Sequence, residues 1–209
     1  MKFTDFDFSK ISQMINSMSE EEKDQLNGMA ENMMDQAKNN MNQKAEEVEE
    51  EEDTDIFKFL EIPEDPYTDL PGTVIDQIEA AVDMEVYYED MPEADFSAAV
   101  LFYAKAVLNL LRKFHYAVYQ DVFGLTASSA TMTLYSFVSP LMQPDAIRNL
   151  VDHGYGTTEG WTEHRAFLQQ LAILLSRAEY ETVQYLDVQM LKESLFKKKA
   201  LLQIESLSR

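Results

Sequence analysis

Cysteine is absent from the 209-residue chain. That removes disulfides, thiolate nucleophiles and thiolate metal sites together, and it fits a reducing compartment. Also missing is any window of about 18 uncharged apolar residues, the length a helix needs to cross a bilayer. The longest apolar stretch, FSAAVLFYAKAVLNLLRKF from Phe96, is interrupted by Lys105 and closed by Arg112 and Lys113, which reads as a buried core helix. The opening MKFTDFDFSK alternates acids with phenylalanines, where a secretion leader needs a basic start and an apolar run. A cytoplasmic protein is expected. No stretch alternates apolar and polar residues cleanly enough for a hairpin strand. No fixed-period repeat or sustained heptad stands out.

Bases are scarce. The chain holds 17 Lys and Arg against 38 Asp and Glu, a net charge of −21. Residues 1–72 carry 20 acids and 6 bases, a balance of −14, and residues 73–209 carry the remaining −7. Such a field repels DNA, RNA and anionic membrane, and it attracts basic proteins, cationic peptides and divalent ions.

What is present is helical periodicity. Residues 1–44 read as a helical hairpin. Ser9 caps a first helix with Ile11, Met14, Ile15 and Met18 on one face, and Ser19 with Glu22 forms a capping box for a second. Leu26, Met29, Ala30, Met33, Ala37 and Met41 continue its apolar stripe, with Met34 beside it. Seven of the twelve methionines fall in residues 1–41. Methionine is flexible and polarizable, so such a face can re-pack around different partners. It can equally be core, because two short helices must cover something. The candidate partner contacts are Met14, Met18, Leu26, Met29, Met33 and Met34.

Residues 45–72 read as a linker. AEEVEEEEDTD places eight carboxylates between Glu46 and Asp55, and IFKFLEIPEDPYTDLPG follows with three of the six prolines. A run of like charge stays solvated, and the prolines forbid one continuous helix. Phe57, Phe59 and Leu60 are candidate anchors for a partner, since acids followed by aromatics suit capture and then grip.

Residues 73–209 read as an all-α bundle of about five or six helices. The first, 73–90, has Val74, Ile75, Ile78, Ala81, Val82 and Val86 on one side and an acidic surface of Asp76, Glu79, Asp83, Glu85, Glu89 and Asp90 on the other. The second, 93–123, is apolar around much of its circumference, which marks a central position, and Gly124 is its natural stop. TASSATMTLYSFVS, 126–139, suits a short buried helix or a strand, ended by Pro140. Pro144 opens a short helix through Val151, and Gly154 closes it. Thr158 or Thr162 caps a helix holding Trp161, Phe167, Leu168 and Leu171. A last helix is expected over 178–206, basic at its end through Lys192, Lys197, Lys198 and Lys199, as the helix dipole favours. GYGTTEG lacks the Gly-Lys-Ser/Thr ending of a phosphate loop and follows no strand.

The chemistry-bearing candidates are few. His115 lies alone in RKFHY and reads as structural. Asp152, His153, Glu159, Glu163 and His164 sit within 13 residues of one another, and the four-residue step from Glu159 to Glu163 suits one helix face, as a metal site requires. Ser128, Ser129 and Thr131 have no nucleophile elbow around them. No cofactor or resident metal is expected. The expected function is therefore non-catalytic: an adaptor, assembly factor or chaperone-like accessory that binds a protein partner, basic or bearing an exposed apolar helix, through the Met-rich hairpin and the acidic surface. One alternative is an acidic mimic of nucleic acid that inhibits a DNA- or RNA-binding protein. Another is a helical metal-dependent enzyme built on His153, His164 and nearby acids.

Overall fold

The structure is a computed structural model that describes residues 55–91 and 93–209. The expected hairpin of residues 1–44, with its six candidate contacts, and the acidic run up to residue 54 lie outside the described residues. Thr54–Arg209 forms one compact unit. Its described residues are helical, with no strand among them.

The last acid of the acidic run is a helix cap. Asp55 accepts hydrogen bonds from the backbone N–H groups of Phe57 and Lys58, both at 3.1 Å, and starts the short helix α1, Ile56–Phe59. That satisfies donors a helix start otherwise leaves open. The segment read as a linker continues onto the bundle: Ile56, Leu60 and Tyr67 are buried in the core, and the Tyr67 hydroxyl donates to Phe196 O at 2.9 Å. These apolar side chains sit too close to the prolines to form a long helix, so they fasten the segment as separate anchors.

Helices α2, Gly72–Tyr87, and α3, Ser97–Leu110, form the principal pair. Asn109 at the end of α3 donates to Thr73 O at the start of α2, so the two run antiparallel. The long central helix is continuous to Phe123 but changes gauge. A π-helical turn, Leu111–His115, separates α3 from α4, Tyr116–Phe123. Gly124 stops it in the left-handed conformation at φ 65°, as its lack of a Cβ permits.

The ambiguous stretch after Gly124 is a 3-10 turn at Ser129–Thr131 followed by α5, Leu134–Leu141. Pro140, expected to end it, lies one residue inside. Helix α6, Ala146–Asp152, leads to the glycine loop and α7, Thr158–Arg177, capped by Thr157. Two of the loop's glycines have a packing role. A Cβ on Gly156 would lie 2.7 Å from Leu207 Cδ2, and one on Gly160 would lie 2.9 Å from it. The C-terminal segment therefore packs against this loop.

The expected single helix over 178–206 is broken twice. Val183 is captured by the start of α3: its N–H donates to Asp95 Oδ1 at 3.0 Å, and its carbonyl accepts from Phe96 N at 3.0 Å. With both backbone groups engaged elsewhere, the helix cannot pass through. It restarts as α8, Tyr185–Lys192, capped by Gln184 with Asp187. A second π-helical turn, Glu193–Lys197, and a left-handed Lys199 at φ 58° then lead into α9, Ala200–Ser206.

Candidate functional site

Four places in the described unit hold the groups that sequence reasoning singled out, or should have: an acidic ridge, two buried polar clusters and an apolar groove.

The ridge is the outer side of α2 and the turn after it. Asp76, Glu79, Asp83, Glu89 and Asp90 are exposed there. Glu85, expected with them, is not: it is 2% exposed and is removed from the acidic surface. Its carboxylate accepts from the Tyr103 hydroxyl at 2.6 Å and from Lys192 Nζ at 2.8 Å. Lys192 Nζ also stands 4.6 Å from the centroid of the Phe59 ring, a cation–π contact. Burial, and then the neighbouring Glu85 charge, raise the Tyr103 pKa far above the usual tyrosine range. The cluster joins α1, α2, α3 and α8 and leaves neither carboxylate oxygen unpaired, as a buried charge requires.

This geometry also relocates the aromatic anchors. Leu60 is a core residue, and Phe57 and Phe59 pack against the core. Leu60 is therefore taken out of the candidate partner contacts, while Phe57 and Phe59 stay half-buried.

The second buried cluster is histidine. His115, on the first π-helical turn, and His164, on α7, are both 0% exposed and face each other edge to face with ring centroids 4.9 Å apart. Trp161 packs on both rings, and Tyr119 stacks on His115. His115 Nε2 lies 2.7 Å from Ile204 O, so that nitrogen carries the proton and donates. His115 Nδ1 and both nitrogens of His164 have no hydrogen-bond partner. Burial pushes the His115 pKa down to about 4 despite the Ile204 carbonyl, and burial followed by repulsion from His115 pushes His164 well below the ordinary range. Sequence reasoning missed this pair, but a signal was there. His164 follows Trp161 by three residues and precedes Phe167 and Leu168 by three and four, while His115 lies four from both Leu111 and Tyr119. Each histidine occupies an apolar stripe.

His153 does not share the environment of His164. It is exposed at the end of α6 with Nδ1 2.7 Å from Asn149 O, and Asp152, Glu159 and Glu163 are exposed too. Among the described residues no group of three or more His, Asp or Glu side chains is placed to hold a metal ion.

The groove lies between α7 and α8. Both helices pack on α3, and scarcely on each other, because the Val183 tether sets the start of α8 against α3. A space of about 330 Å³ opens between them; half of its lining residues are apolar, Phe167, Leu171, Ile173, Leu174, Met190 and Leu191, and the other half are polar or charged, Arg177, Asp187, Glu193 and Lys198 among them. The Arg177 guanidinium reaches Asp187 across one end at 3.2 Å. Ile173 and Met190 are 63% and 62% exposed, and Leu186, one turn before Met190 on α8, is 67% exposed. The warning in the sequence was LAILL at 171–175, which holds more apolar residues than one helix face can bury.

Among the described residues no helix is long and apolar enough to cross a membrane. Comparison of the chain with protein-family models, with curated proteins and with solved structures gives no match.

Proposed function

We propose that the chain is a non-catalytic protein-binding protein whose described unit takes an amphipathic helix of its partner into the α7–α8 groove. The observation that carries this reading is the groove itself: a floor of Phe167, Leu171, Leu174 and Leu191 edged by Ile173 and Met190, two large apolar side chains left mostly in water. Exposed apolar surface that is contiguous rather than scattered marks an interaction site. The wall from Phe167 to Arg177 spans about 15 Å, three helical turns, which accommodates anchors at i, i+3 or i+4, and i+7.

The charges lining the groove are paired within the chain, Arg177 with Asp187 and Glu181, and Lys198 with Glu193. Apolar contact therefore supplies affinity there. The net charge of −21 and the α2 ridge favour a partner with basic flanks and raise its rate of capture. The contribution expected of the Met-rich segment 1–44 belongs to the same proposal.

Selection from a randomised amphipathic-helix peptide library tests it, with the full chain as bait. The expected winners carry apolar residues at helical spacing and lose binding to an Ile173→Asp, Met190→Asp chain. Winners that bind both chains equally would place the interaction elsewhere, and an absence of enrichment would remove the groove as a helix site.

A further inference from the structure

The buried histidines are not among the groove's lining residues, and their surroundings are unusual in a specific way. Three of their four ring nitrogens lack a hydrogen-bond partner, and a neutral imidazole in such a place is tolerated only because it carries no charge. Among the described residues, the packed elements offer no counter-ion. On the central helix, Arg112 donates to Met132 O, Lys113 stands over Phe114, and Asp121 accepts from the Tyr155 hydroxyl. On α7, Glu163 accepts from Gln203, and Glu159 and Arg165 lie outside the core. On α9, Glu205 pairs with Arg209. On α5, Tyr135 is exposed. The titratable side chain that faces the pair is Tyr119, whose hydroxyl donates to Phe137 O. A proton taken up by either ring therefore creates an unpaired buried cation beside a second imidazole.

The element best placed to yield is α9. It is seven residues long, it is entered through the left-handed Lys199, and it packs on both the π-helical turn and α7. Ile204, buried at its centre, supplies the carbonyl that His115 holds. Left-handed conformations in non-glycine residues are intrinsically strained, so the hinge at Lys199 loses little on opening.

We propose that His115 and His164 form an acid-sensitive latch, which holds α9 on the bundle when both rings are neutral and releases it when they take up protons. Release brings the rings into water and frees the C-terminal segment, including Leu207, from the glycine loop.

The test is backbone hydrogen exchange of the full chain at pH 7.5 and 5.0, corrected for intrinsic rates and read separately for residues 200–209 and for α2–α3. An imidazole titrating at 6.5 in water and at about 4 in the closed state makes opening roughly thirtyfold more favourable at pH 5.0. The expected result is a loss of protection at 200–209 of at least about tenfold, with 200–209 exchanging faster than α2–α3 at both pH values, and a smaller loss in His164→Leu. Equal protection at both pH values overturns the latch, as does protection at 200–209 no weaker than that of α2–α3, which would mean that the segment opens only with the whole bundle. A second readout needs no variant. Proton NMR titration should show neither His115 nor His164 with an ordinary midpoint, and midpoints near 6.5 for both would also overturn it.

Discussion

Two polar clusters lie inside the same small bundle, and they are built on opposite principles. At Glu85 every charge is answered: Tyr103 and Lys192 take one carboxylate oxygen each, and the Phe59 ring faces the ammonium. At His164 nothing is answered, and the ring persists by remaining neutral. The first arrangement ties helices together and is costly to break. The second makes one hydrogen bond, from His115 to Ile204 O, leaves three ring nitrogens without a partner, and makes its neighbourhood responsive to protons. Burial alone does not say what an ionisable side chain is for; its partners do.

The largest way to break the contrast is Glu85→Ala. It strands the Lys192 ammonium and the Tyr103 hydroxyl in the core, and a loss of roughly 3–5 kcal/mol in urea unfolding is expected. Replacing all three at once by Leu, Phe and Met should restore much of that loss, since apolar packing substitutes well for a buried pair. If Glu85→Ala costs less than about 1 kcal/mol, the cluster is not the clamp described.

Acid gives the next effect. His115 titrates lower in the fold than in the unfolded chain, so its stabilising contribution is complete above about pH 6.5 and is lost as pH falls toward about 4, where the folded state finally binds the proton. The unfolded chain binds more protons throughout that window, and unfolding becomes easier there. The expected loss from this group is about 3 kcal/mol, read as the wild-type decline minus that of a His115→Phe chain, which removes the background of titrating carboxylates. Parallel declines would contradict the assignment.

The smallest effect sharpens the contrast from the other side. His164→Leu removes a ring that makes no hydrogen bond, so stability at pH 7.5 should change by less than about 1.5 kcal/mol, on the stabilising side. A loss of 3 kcal/mol or more, of the order seen when a paired buried group is stranded, would mean that His164 has partners after all.

Much of the bundle was legible because its signals are local. Gly124 stops the central helix, and the apolar stripe of α2 faces inward except at Val86, while α7 is opened by Thr157 and not by the expected Thr158 or Thr162. What was not legible depends on groups far apart in the chain. The break before α8 comes from Asp95 and Phe96 reaching Val183, 88 positions along for the carboxylate. Glu85 is acidic among acids in sequence and is drawn inward by Lys192, 107 positions away. His164 was grouped with His153 by proximity in sequence, whereas folding pairs it with His115. The groove followed from the same cause: a surplus of apolar residues at 171–175 signals an unfilled face, but only the Val183 tether decides that α8 leaves it open.

The central claim is that the α7–α8 groove is surface held ready for a partner, not core that failed to close. Urea unfolding of the Ile173→Asp, Met190→Asp chain beside the wild type tests it most directly. The account predicts midpoints that agree to within about 0.5 kcal/mol per substitution, as for exposed positions outside any packed network. A loss of 3 kcal/mol or more, the scale of a charge forced into a packed interior, would show that both side chains belong to the core and would contradict the claim.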